Sequence, residues 1–156
     1  AWFGTRRPGV QVPPPRQMND SNSAQVLKTA KYVSLITFRK SGEPVRSPVW
    51  FVQFGENPNS YGVITETDAG KVKRIRANSK IEVQVCDVKG GVKPDAAKFS
   101  GTARLVTGDQ AVAVRKAISK RYRLTYKLFS IYLAVSGLFK KKDELPETNI
   151  VFELTD

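Results

Sequence analysis

From Tyr32 onward the chain is a string of short β-branched and aromatic runs cut by turns, with one short basic helix let in between two of them. Residues 32–38 (YVSLITF) read as a strand that ends at the turn Lys40-Ser41-Gly42-Glu43. Residues 44–54 (PVRSPVWFVQF) resume it, so the two form a hairpin. Pro48 lies inside that second run and marks an edge or a bulge, because proline has no N–H for the ladder. After the turn Glu56-Asn57-Pro58-Asn59 comes a third strand, 60–65 (SYGVIT), then the helix 70–77 (GKVKRIRA) and a fourth strand, 80–87 (KIEVQVCD). A loop opens at Lys89-Gly90-Gly91, and 97–106 (AKFSGTARLV) is a fifth strand, with Gly101 as a bulge or bend. Residues 149–154 (NIVFEL) supply a sixth.

Helices flank this series. Asp20 or Ser21 caps a short one running to about Ala30. Asp109 caps another over DQAVAVRKAISKRY, with Val112, Val114, Ala117 and Ile118 turned inward, and a further helical segment covers about 124–139. Six strands with short turns, one inserted helix and helices late in the chain predict a mainly β fold with α: a six-stranded β-barrel with peripheral helices. With 156 residues the chain is read as one domain, 20–156, with a helical insert at about 109–142. Residues 1–19, with four prolines and no periodicity, are read as an extended arm.

The segment 65–87 (TETDAGKVKRIRANSKIEVQVCD) points most directly to a ligand. Free N–H groups at a helix start, hydroxyls from Thr65 and Thr67, the glycine Gly70 and the ammonium of Lys71 together suit an anion, best a phosphate. Lys71 and Arg74 are three apart and share a helical face. A cation in the first turn opposes the helix dipole. A bound phosphate resolves that misfit.

Composition limits the chemistry. Lys and Arg number 26 against 14 acids, a formal charge of +12, which favours anionic partners. There is no histidine, so Ser–His and Cys–His nucleophiles and histidine-ligated metals are excluded. The single cysteine, Cys86, excludes an intrachain disulfide and a thiolate zinc site, and it reads as a half-buried strand residue. Chemistry in such a chain resides in a bound cofactor. No 18-residue uncharged apolar run exists, so no membrane-spanning segment is read.

The stretches KYVSLITFRKSGEPVRSPVWFV, ITETDAGKVKRIRANSKIEVQVCDVKG and FSGTARLV resemble the pyridoxamine 5′-phosphate oxidase-like flavin-binding split barrels. Within them they look most like the actinobacterial branch that uses the deazaflavin coenzyme F420. The resemblance covers about Lys31 to Val106, and the closing strand NIVFEL more loosely. It implies a six-stranded split barrel that forms a homodimer with cofactor at the subunit interface. It implies phosphate contacts from Arg46, Ser47, Pro48, Val49 and Trp50 at the second strand, and from Thr65, Thr67, Gly70, Lys71 and Arg74 after the third. The flat ring is expected along the backbone near Pro48, Val49, Trp50 and Ile64.

The function expected on this basis is an F420-dependent reductase acting on an unsaturated small molecule. An FMN-dependent oxidoreductase and a non-enzymatic cofactor- or tetrapyrrole-binding protein are the rival readings. The basic residues Arg115, Lys116, Lys120, Arg121, Arg123 and Lys127 are expected to attract the polyglutamate tail of the coenzyme. Nucleic acid is disfavoured, because the aromatics alternate within strands instead of forming an exposed stacking row. Membrane contact through the amphipathic stretch 122–142 is ranked below packing, and the location is read as cytoplasmic.

Overall fold

The computed structural model describes residues 20–125, 127, 128 and 147–155. The arm 1–19 and the segment expected over about 124–139, apart from its first few residues, lie outside the described residues. Among the described residues, α1 (Asp20–Thr29), α2 (Gly70–Ala77) and α3 (Gly108–Arg121) accompany the strands. The strands are β1 (Tyr32–Phe38), β2 (Pro44–Val49), β3 (Phe51–Gln53), β4 (Ser60–Val63), β5 (Lys80–Cys86), β6 (Lys98–Thr107) and β7 (Thr148–Thr155).

The sheet has seven strands where the sequence predicts six. The run 44–54 is not one strand. It breaks at Trp50, and its halves take different partners: Val49 lies opposite Val33 of β1, while Phe51 lies opposite Val63 of β4. The order is β2-β1-β5-β6-β7-β4-β3, with every neighbouring pair antiparallel. The two edge strands are therefore joined by a single residue. Consecutive Cα atoms are about 3.8 Å apart, so the two edge strands meet at this corner and the sheet curls into a half-barrel. Pro48 sits in an edge strand, where its missing N–H costs no central ladder bond.

Side-chain alternation then sorts the faces. Val33 and Leu35 of β1, Val83 of β5 and Phe152 of β7 point into the barrel with Phe51 and Tyr61, all 3% exposed or less. Burying each large apolar side chain contributes about 1.5–3 kcal/mol. Leu27 of α1 and Ile75 of α2 pack into the same interior. On the outer face, α3 lays Ala111, Val114 and Ile118 over Val106 and Val151. That is an i, i+3, i+7 stripe; Val112 and Ala117, expected inward, are half-buried. Gly62 of β4 lets α3 come close, since a Cβ there would stand 3.0 Å from a Val114 methyl.

Gly101 is not a bulge. It keeps regular register with Ile81 on one side and Leu154 on the other. Its need for glycine is a close approach: a Cβ would run into the Glu153 carbonyl of β7. The Asp109 cap is also revised. The N-cap is Thr107, without a side-chain hydrogen bond, and Asp109 lies in the first turn, where its charge still suits the helix dipole.

Candidate functional site

α2 follows β4 through the loop 64–69 and starts without a capping side chain. Its N-cap is Ala69, with no side-chain cap bond and no acid in the first turn. A helix start of this kind leaves N–H groups unsatisfied by the protein. Burial of Val72 and Ile75 fixes the helix against the sheet, with its Gly70–Lys71 end at the loop.

Arg74 is folded back over this end. Its Nε donates to Thr37 Oγ1 of β1 at 2.7 Å. A Cβ built on Gly70 would lie only 2.8 Å from its Nη1. Gly70 thus admits the guanidinium to the helix start, and Thr37, 1% exposed, holds it there. Lys71 is half-buried. Desolvation holds its ammonium below the usual lysine range, with Glu66 opposing that shift and Arg74 adding to it. Two cations are thereby held close together at an uncapped helix start, a charge arrangement that an anion would relieve.

The loop before α2 is anchored from β7. Asn149, fully buried, accepts the Thr65 N–H on its Oδ1 at 3.2 Å and donates Nδ2 to Ala111 O at 2.8 Å. Thr65 turns its hydroxyl to Glu66 O at 3.3 Å, and Thr67 is half-buried. Thr37 and Asn149 escape a sequence reading. One sits in an apolar-looking strand and the other starts one, and neither carries a motif.

The expected second-strand residues divide by face. Val49 points into the barrel and is 5% exposed, and Ser47, half-buried, shares its face opposite Leu35. Arg46 and Pro48 lie on the outer face. There Arg46 Nη1 donates to Gln84 Oε1 of β5 at 2.8 Å, and Gln84 Nε2 donates to Ala96 O at 3.3 Å. Arg46 is thus engaged with β5, while Gly70, Lys71 and Arg74 gather at α2. Trp50, in the corner between β2 and β3, stacks on Tyr122 with centroids 5.3 Å apart and planes 13° from parallel. Trp50 and Ile64 both pack against the cluster under α3.

The end of α3 clamps that corner. Arg121 donates to Phe51 O at 2.7 Å and to Ala30 O at 2.6 Å, and its guanidinium stands 4.5 Å from the Phe51 ring centre. The Tyr122 hydroxyl lies 2.7 Å from Lys31 O and 3.0 Å from Phe51 O. Arg115 pairs with Glu147 at 2.9 Å. Two of the six cations expected to face a polyanionic tail are therefore committed to the fold. Cys86 is buried, and burial raises its thiol pKa, which suits an inert strand residue. Among the described residues no cluster of metal-ligating side chains occurs, and no helix is long and apolar enough to cross a membrane.

No curated protein matches the chain. Among solved structures, a conserved hypothetical protein from Mycobacterium tuberculosis superposes with a TM-score of 0.58 at 16% identity, covering 86% of this chain and 79% of its own. An F420 reductase gives 0.54 at 22% identity, over 85% and 92% of the two chains. HutZ, the heme storage protein of Vibrio cholerae, gives 0.50 at 18%, over 87% and 88%. At such identities the likeness is one of fold. The family model described as pyridoxamine 5′-phosphate oxidase matches residues 20–150, nearly the whole described barrel. The curled antiparallel sheet whose edge strands meet at Trp50, together with an uncapped basic helix start, is thus the frame of a chain that belongs to the pyridoxamine 5′-phosphate oxidase family.

Proposed function

We propose that the chain is a reductase that uses the deazaflavin coenzyme F420 and holds the coenzyme phosphate at the Gly70 end of α2. The observation that carries the reading is the Thr37–Arg74–Gly70 arrangement beside a desolvated Lys71. The donor set fits a phosphate. It has two cations, an uncapped helix start and a Thr-bearing loop fixed by Asn149. When bound, the coenzyme supplies a hydride to an electron-poor double bond of the substrate. Lys71 and Arg74 neutralise the phosphate. In this reading the coenzyme meets β2 along its backbone, since Ser47 and Val49 lie on one face and Arg46 and Pro48 on the other, and Trp50 and Ile64 border the ring. Without histidine or a reactive thiol, the protein acts by positioning and electrostatics.

The coenzyme sits at the interface of a homodimer in this reading, and Lys116, Lys120, Arg123 and Lys127 face its acidic tail. Membership of the family and the fold likeness to an F420 reductase support a flavin-type oxidoreductase; the choice of deazaflavin rests on the sequence resemblance. The test is a titration of the protein with oxidised F420 and with FMN, followed by absorbance, with the molar mass measured by light scattering. Tight F420 binding and a dimer are expected. Tight FMN binding without F420 binding sinks the deazaflavin reading.

A second reading, non-enzymatic tetrapyrrole binding, is favoured by the fold likeness to a heme storage protein. The absence of histidine weighs against it, since the usual axial ligand is missing. A Soret band appearing on addition of hemin at equimolar concentration would support it.

A further inference from the structure

Arg74 also borders a second concavity. Between the β1–β2 turn and the later part of α2 lies a cavity of about 410 Å3. Phe38, Arg39, Lys40 and Ser41 line it from the turn, and Lys73, Arg74 and Ala77 from the helix. Its size falls within the usual range for small-molecule sites, about 300–1,000 Å3. Four of the seven lining residues are cationic and none is acidic.

The turn backbone and Arg74 are held before any ligand arrives. Arg39 N donates to Glu43 O at 2.9 Å and Gly42 N to Arg39 O at 2.8 Å, so the turn is closed by its own backbone. Gly42 has a φ of +87°, which this turn requires and glycine allows. Arg74 is held by Thr37. The charges are poorly balanced. The ion pair at the turn, Arg39 to Glu43, is long at 3.9 Å and exposed on both sides, and such pairs are worth about 0–1 kcal/mol. Among the described residues Lys40 and Lys73 make no ion pair. Phe38 and Ala77 add an apolar wall that a bare inorganic ion would leave unused.

We propose that this cavity binds a small phosphate-bearing molecule with an apolar or aromatic body, at a site separate from the one at Gly70. The phosphate takes Arg39, Lys40 and Lys73, and the body rests on Phe38 and Ala77. A concave pocket lined by four cationic residues suits a discrete ligand better than the running backbone of a nucleic acid, which needs a track and stacking rings. The inference does not depend on which cofactor the protein uses.

The test uses the full chain with phenyl phosphate and inorganic phosphate as probes, at low ionic strength. Calorimetry measures affinity, and amide chemical shifts locate the binding. Phenyl phosphate is expected to bind more tightly than inorganic phosphate and to shift Lys40, Ser41 and Lys73. The double variant Lys40→Ala/Lys73→Ala weakens it tenfold or more, from the loss of charge-assisted contacts. Both positions are exposed, so the fold is expected to survive, and circular dichroism checks it. Lys71→Ala leaves these shifts in place while it weakens the coenzyme. Shifts confined to 65–71, equal affinity of the double variant, or tight oligonucleotide binding with no response to phenyl phosphate overturns the proposal.

Discussion

The Arg121 guanidinium lies over the Phe51 ring at 4.5 Å and bonds the Phe51 carbonyl at 2.7 Å. One residue at the end of α3 thus grips both the side chain and the backbone of the strand that follows the barrel corner. A second bond to Ala30 ties the same group to the start of β1. Arg121→Ala removes two charged hydrogen bonds and the cation–π contacts with Phe51 and Tyr122, for an expected loss of about 3 kcal/mol. Chemical denaturation measures it; a loss under about 1 kcal/mol would mean that Tyr122 and packing hold the corner without Arg121.

Tyr122 and Tyr61 report on the same region through pH. Burial raises both phenols above their ordinary 10.0, with Arg121 opposing the shift in each case. For Tyr122 the bond to Phe51 opposes it as well. The native state therefore keeps its phenolic protons where the unfolded chain has begun to lose them. The stability they contribute is complete below about pH 10 and is lost as pH rises through the raised native values. Denaturation midpoints taken from pH 9 upward should fall, and the fall should be shallower in Tyr122→Phe.

Gly101→Ala places a methyl against the Glu153 carbonyl of β7. The obstacle is backbone in the middle of the sheet and cannot rotate away. Overpacking costs about 1–3 kcal/mol, and this variant should sit at the upper end. A thermal midpoint equal to wild type would show that β6 and β7 separate at no cost.

Ser34 is 1% exposed, and its hydroxyl has no hydrogen-bond partner among the described residues. It lies between Pro48 and Gln84 on the outer face. Burying an unpaired hydroxyl costs about 1–3 kcal/mol, so Ser34→Ala should leave stability unchanged or raise it by about 1 kcal/mol. A clear loss in urea denaturation would reveal a partner for the hydroxyl.

Lys71→Ala should weaken coenzyme binding by about 1.5–3 kcal/mol, the worth of a charged hydrogen bond. Desolvation lowers the Lys71 pKa in the folded protein. The unfolded chain therefore binds this proton more readily, and the group's contribution to stability rises with pH through the lowered value. Anion affinity runs the other way. It should decline at a pH below the usual lysine range, and the decline should vanish in the alanine variant. Titrations across pH 7 to 10 check both.

The strands, the helix Gly70–Ala77 and the edge position of Pro48 were legible because each is a local matter of side-chain type and turn chemistry. The seventh strand was not. Residues 44–54 are uniformly good strand formers, and the break at Trp50 comes from which neighbours Val49 and Phe51 meet. In the site, Lys71 and Arg74 announce themselves by charge and spacing. Thr37 and Asn149 become visible only when α2, 37 residues away in sequence, and the loop at Thr65, 84 residues away, are brought beside them. The Arg46–Gln84 bond is equally non-local, at 38 residues apart.

The position of β7 sets a limit on when the molecule can take shape. The strand nearest the C-terminal end lies between β6 and β4, so β4 and β3 have no ladder bonds to the rest of the sheet, only the chain at Trp50 and the packing of α3, until Thr148–Thr155 arrive. Synthesis from the N-terminus delivers the half made of β1, β2, β5 and β6 first and leaves Phe51–Val63 waiting. The ribosome must therefore release the β7 residues before the barrel can close, and a chain cut short before Thr148 should remain an open sheet with Tyr61 and Val63 uncovered.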